Sequence, residues 1–465
     1  MRRGALAPLC QGLLAASLSF CVGGCHRASP QAASAPASDA DAGAAEPIAP
    51  PIVGPARCRA TEWGARLGDD GGGADLELGD AILVGDAVAV ALVHRSGGER
   101  VAALAFVRPA EDAPPRIIDL GPTLGDAPPP RIASRGTGVV SAFHPTAKEK
   151  GGRAGGERGD LARTLAVRSV SPDGASPLFS LDVQRDDSLA SDVTVAGESG
   201  IVVWDEATSE PRGVIRGASF AVGTGQRTGA LFDLSPKDSD AEAPLAVAYG
   251  NGFAVAWIAR GPDPDTPAVD GSDLEVPGEV RSRGWVELAL VDERGVATAP
   301  VRRLTPAGGH VTAFDMTTAA VARAGRGTDA NALPTLLVAA RDEGEALDGS
   351  GGTLLRVRVG PDGAQPPVAL TTDGLGRGAP IFVEGSTPWL SWAGPREQLR
   401  VLALDSDGAP SGLPSAEDAM EDERPVLALP SGDLLVEAPG DAARPLRTFD
   451  CGARAGKLPS RHPFE

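Results

Sequence analysis

Tyrosine occurs once, methionine three times and cysteine five times in 465 residues, and aromatic residues together make up 4%. Lysine is almost missing: Lys148, Lys150, Lys237 and Lys457 are the only ones, so nearly all positive charge is arginine. With so much Ala, Gly and Pro, that bias reads as the codon usage of a GC-rich genome rather than a functional choice of arginine. A basic surface is lacking as well. The formal net charge is −19 and the pI about 4.8, which excludes nucleic acid as a partner because phosphates need clustered cations. Beyond the N-terminus no run of 18 consecutive apolar residues occurs, so no later segment reads as a membrane-spanning helix.

Motifs that carry chemistry are also scarce. His26 and His462 lie near the ends, and His94, His144 and His310 stand alone. There is no H-E-x-x-H, C-x-x-C, G-x-S-x-G or phosphate-binding loop. The stretch "DGSGG" at 348–352 has the wrong order for a serine-protease nucleophile loop and reads as a glycine-rich turn. "DPDTPAVDGSD" offers Asp263, Asp265, Asp270 and Asp273 to a cation such as calcium. Pro264 and Pro267 break the ligand spacing, so these acids are weak calcium candidates and read as a solvated turn. No other cofactor is expected. An exposed aromatic face for stacking on sugars is not signalled, since only Trp63, Trp285 and Trp389 lie outside the tryptophan register shared by the repeats described below.

What is present begins with the N-terminus. Arg2 and Arg3 precede an apolar core, Ala5 to Phe20, too short to span a bilayer comfortably, and small residues follow. That order reads as an export signal. Val22-Gly23-Gly24-Cys25 then resembles a bacterial lipobox, an aliphatic residue and two small residues before cysteine. The resemblance implies cleavage after residue 24, diacylglycerol on the Cys25 thiol, and anchorage to a membrane facing the periplasm or the cell surface. Cys21 fits less well because bulky Phe20 precedes it. Residues 25–57 are almost all Ala, Pro, Ser, Asp and Gly. Such a composition cannot bury a core, so it reads as a disordered tether with a reach of about 30 Å or more. The cysteines then sort themselves. Cys10 and Cys21 leave with the signal, Cys25 takes lipid, and Cys58 and Cys451 remain near the two ends of the folded body. In an exported protein a Cys58–Cys451 disulfide is expected, contributing on the order of 5 kcal/mol in the chain-entropy picture.

From residue 58 to 451 the chain is short apolar runs cut by Gly, Pro and Asp, with little helical period. The expectation is an all-β body. Two repeat elements recur. The first follows a turn: "GVVSAF" ending at Phe143, "GIVVW" at Trp204, "GFAVAW" at Trp257 and "TPWLSW" at Trp392, with weaker copies ending at Val90, Ala339 and Glu437. The second is an alternating strand, an acidic glycine turn and a proline restart, as in "WVELALVDERGVATAPVRRL". Asp-Gly suits hairpins because glycine accepts positive φ. Successive registers lie 53, 61, 53, 82, 53 and 45 residues apart, which is the size of a four-stranded propeller blade. Seven blades are expected, and six or eight remain compatible with the 82-residue interval. The segments 144–160 and 261–284 read as exposed insertions. Phe143, Trp204, Trp257 and Trp392 are expected to fill the spaces between blades.

These repeats resemble those of secreted and lipid-anchored bacterial β-propellers, over about residues 80–450. The resemblance implies a single propeller closed by strands from both chain ends, with residues 452–465 as a tail. It says little about activity. Sialidase-like propellers carry S-x-D-x-G-x-T-W boxes and a catalytic tyrosine; no such box occurs here, and Tyr249 is read as a core residue. The leading expectation is therefore a monomeric, non-enzymatic envelope lipoprotein that binds a protein or glycan. The alternatives are a glycan hydrolase using carboxylates at the propeller channel, and a calcium-stabilised adhesive module. An acidic pair in a concave pocket at the channel would favour the hydrolase.

Overall fold

The computed structural model describes residues 59–61 and 76–450, apart from intervening stretches of which the longest are 147–162, 263–281 and 320–332. The described residues form strands and no helix. They build seven antiparallel sheets of four or five strands, each from consecutive chain segments except the last. The third sheet is typical: Ser191–Ala196, Ser199–Ala207, Gly213–Ala221 and Phe232–Asp233. The first strand of every sheet lies beside the first strand of the next, and that of the seventh lies beside that of the first. The sheets therefore close around an axis as a β-propeller.

Both repeat elements fall where their chemistry requires. The first is the second strand of each sheet, and the second is the third strand with its following turn. The acidic turns place Gly174, Gly295, Gly363 and Gly408 at positive φ, which an L side chain resists. The glycine that opens the first element has a different task. At Gly252 a Cβ would fall onto the Val291 carbonyl oxygen of the third strand, and at Gly138 it would lie 2.9 Å from that of Val170. Small residues here let the two central strands approach.

The apolar core is distributed between sheets. Trp204 packs with Val140 and Leu165 of the second sheet, Trp257 with Ile201 and Val203 of the third, and Trp392 with Leu337 and Ala339 of the fifth. Phe143 packs with Ala91 and Leu104 of the first. Each thus faces the preceding sheet and is almost fully buried. Two weaker registers shift. Counted from the hairpin, the place of Trp204 is taken by Leu92 rather than Val90, and by Ala340 rather than Ala339. Ala339 faces the following sheet, whereas Ala340 faces the preceding one.

The seventh sheet joins the chain ends. Arg424–Ala428, Leu434–Glu437 and Leu446–Asp450 are completed at the outer edge by Arg59–Thr61. Arg59 pairs with Asp450 in that antiparallel ladder. This hydrogen-bonded clasp protects what would otherwise be an open sheet edge.

Candidate functional site

The first strand of each sheet is its inner edge, so its unpaired backbone groups face the axis. The strands enclose an axial cavity of about 500 Å³, lined by first strands of six of the seven sheets. Its charged side chains lie in one layer. Arg131, Asp192, Leu245, Asp315 and Ile381 pair with Ala142, Val203, Ala256, Ala339 and Ser391 respectively. Each partner is the residue before the aromatic position of its second strand, except in the fifth sheet, where Ala340 holds that position. Asp80 joins the same layer from the first sheet through an irregularity between Leu78 and Ala81.

These side chains are anchored by hydrogen bonds. Arg131 Nη1 donates to Asp80 Oδ2 at 2.9 Å. Asp192 Oδ1 accepts from the Val193 N–H at 2.9 Å, and its Oδ2 accepts from the Ala246 N–H of the fourth sheet at 2.7 Å. Asp315 repeats the arrangement: Oδ1 accepts from the Met316 N–H at 2.8 Å, Oδ2 from the Phe382 N–H of the sixth sheet at 2.6 Å. Each aspartate therefore ties its own sheet to the next by taking an edge N–H that no ladder partner satisfies. Both receiving strands carry register irregularities just before the donor, between Glu242 and Leu245 and between Arg377 and Ile381.

Enclosure dominates the electrostatics. Asp192 is raised to about 6, chiefly by loss of hydration, against the attraction of Arg131 and its backbone hydrogen bonds. Asp315 is raised to about 7, again chiefly by loss of hydration. The Arg131 guanidinium is held charged above its usual range, foremost by Asp80. The aspartates keep part of their surface accessible, and that surface lines the axial cavity. The layer can thus offer carboxyl oxygens, one paired guanidinium and two groups that exchange protons near neutral pH.

The other residues singled out from the sequence lie elsewhere. Phe143, Trp204, Trp257 and Trp392 are packing residues between sheets, away from the cavity. Tyr249 is buried at the end of the fourth sheet's first strand. Cys25, Cys58, Cys451 and the acids Asp263, Asp265, Asp270 and Asp273 lie outside the described residues. Among the described residues no group of three or more His, Cys, Asp or Glu could hold a metal ion. Sequence reasoning missed all four charged cavity residues, Asp80, Arg131, Asp192 and Asp315. One signal was available: Asp192-Val193-Thr194 and Asp315-Met316-Thr317 share Asp-x-Thr at the same place in their repeats.

No protein-family model matches the chain, and no curated protein sequence matches it. Similar solved structures include a prolyl endopeptidase, 14% identical with a TM-score of 0.40, over 78% of this chain. The chain spans 45% of the length of that endopeptidase. They also include the β-propeller domain of the Trilobed protease of Pyrococcus furiosus, 10% identical with a TM-score of 0.32, over 73% of this chain and 95% of that one. A sialidase of Trypanosoma rangeli is 8% identical with a TM-score of 0.37, over 84% of this chain and 59% of its own.

Proposed function

We propose that the protein is a lipid-anchored envelope propeller that binds a ligand in its axial cavity and leaves it unchanged. The observation that carries this reading is the fixation of Asp192 and Asp315. Both oxygens of each carboxyl already accept a backbone N–H. Held this way, they serve as rigid wall acceptors with lone pairs left for a ligand's O–H or N–H groups. A soluble glycan or an extended loop of an envelope protein offers such donors. Anchorage rests on the Cys25 lipobox resemblance and the tether after it. We propose the Cys58–Cys451 bridge as a covalent lock on the clasp, supported by the pairing of the adjoining Arg59 and Asp450.

Hydrolysis is the second reading, favoured by the acidic pair Asp192 and Asp315 in the axial cavity. Acids raised to about 6 and about 7 can exchange protons near neutral pH, and glycosidases use one protonated and one ionised carboxyl. The discriminating experiment is titration with defined xylo-, cello- and chito-oligosaccharides, followed by mass analysis of the recovered sugar. The binding reading expects saturable binding that Asp192→Asn or Asp315→Asn weakens, with the sugar recovered intact. Cleavage by the wild type that Asp315→Asn abolishes would replace it with the hydrolase. Intact mass of protein from its native envelope checks the rest: a diacylated chain starting at Cys25 that gains two hydrogens on reduction.

A further inference from the structure

A second cavity of about 700 Å³ opens where the second and third sheets meet, bounded by their inner hairpins. One hairpin joins Arg131–Arg135 to Gly138–Phe143, and the other joins Ser191–Ala196 to Ser199–Ala207. The groove adjoins the axial cavity, with which it shares Ser134 and Val195. Its lining carries two charged side chains, Arg135 from the first hairpin and Glu198 from the second. Among the described residues, neither makes an ion pair or a side-chain hydrogen bond, with each other or with a third residue. Three arginines of the neighbouring strands are engaged, by contrast: Arg131 by Asp80, Arg216 by Glu206 and Asp233, Arg260 by Glu242.

The rest of the groove is built to be stable and polar. The Glu198 carbonyl accepts the Val222 N–H at 3.0 Å, and the Val222 carbonyl accepts the Ser169 hydroxyl at 3.0 Å. The Ser171 hydroxyl donates to the Gly174 carbonyl at 3.4 Å. These bonds tie the groove's wall to the strands behind it. One cavity thus presents an unpaired guanidinium and an unpaired carboxylate, on separate hairpins that the sheets hold in place. Opposite charges kept apart in one groove match a ligand that carries both. We propose that this groove binds a small zwitterion bearing a carboxylate and an ammonium group, of the amino-acid or short-peptide class. Arg135 takes the carboxylate and Glu198 the ammonium, with charge-assisted hydrogen bonds at both ends.

Calorimetric titration of the full-length protein with glycylglycine tests the assignment, with acetate and ethylamine as single-charge probes. The expected result is saturable glycylglycine binding, at least tenfold weaker in Arg135→Gln and in Glu198→Gln taken singly. Each single-charge probe is expected to bind at least tenfold more weakly than the dipeptide. Both residues lie at hairpin turns on accessible surface, so the variants retain the fold, which circular dichroism verifies. Absence of saturable binding overturns the proposal. So does acetate binding as well as glycylglycine, or an affinity untouched by either substitution. Binding lost in Asp192→Asn but kept in Arg135→Gln would put the dipeptide in the axial cavity and also overturn it.

Discussion

Raising the pH from 5 to 8 should destabilise this protein through Asp192 and Asp315. The unfolded chain ionises an aspartate near pH 4, whereas the folded protein holds these two protonated to about 6 and about 7. Between pH 4 and 7 the folded state therefore binds more protons than the unfolded state. Stability falls as pH rises through that window and levels off above the folded values. Working the two titrations through linkage gives a loss of about 3 kcal/mol from Asp315 and about 1 kcal/mol from Asp192 between pH 5 and 8. The charged groups facing them are Asp80 and Arg131, which are hydrogen-bonded to each other, and Arg131 is held charged throughout the window. The assay is urea unfolding at pH 5, 6, 7 and 8, followed by tryptophan fluorescence. Asp315→Asn keeps one acceptor for its two backbone donors and forfeits about 1 kcal/mol for the other. It also removes the titration, so its stability profile should be flatter than the wild type by most of Asp315's share. Repulsion from the net charge of −19 acts in the same direction but is common to both proteins and cancels in the difference. Parallel profiles for wild type and Asp315→Asn would refute the reasoning.

Two further outcomes are expected. Trp257 Nε1 is buried with no partner among the described residues, whereas Trp204 Nε1 donates to Glu206 Oε2 at 3.0 Å. Trp257→Phe should therefore destabilise less than Trp204→Phe, which strands a buried carboxylate from one donor at a cost of about 1–3 kcal/mol; urea midpoints compare them. Gly252→Ala drives a Cβ onto the Val291 carbonyl oxygen, so a loss of about 1–3 kcal/mol is expected from overpacking. A matched Gly229→Ala, where a Cβ meets nothing within 4 Å, should be nearly silent on the same assay.

The propeller was legible because its repeat is written in packing residues. Trp204, Trp257 and Trp392 must all fill the same gap against the preceding sheet, so the same residue type recurs at the same place. The turn glycines recur for an equally strict reason, their positive φ. Registers slipped only where that pressure is weak. In the fifth sheet the gap position is Ala340, one alanine among several small residues, and nothing in "TLLVAARD" marks which faces inward. The clasp was also readable, since a closed ring of sheets leaves both chain ends to share one edge.

The axial layer was hidden for the opposite reason. Its residues line an opening instead of filling a gap, so no single residue type is demanded from sheet to sheet: Asp80, Arg131, Asp192, Leu245, Asp315 and Ile381 occupy it. What constrains Asp192 and Asp315 is an unsatisfied edge N–H on a neighbouring strand, Ala246 and Phe382, 54 and 67 residues away. Those donors become available beside strand irregularities, and irregularities leave no periodic trace in a chain read one residue at a time. The Asp-x-Thr they share becomes meaningful only once the strands are arranged around an axis. A carboxyl that satisfies one such N–H also closes the gap between two sheets. The residues that hold the ring together at its centre are therefore those that give the cavity its chemistry, and substitutions there will move stability and binding together unless the hydrogen bond is kept.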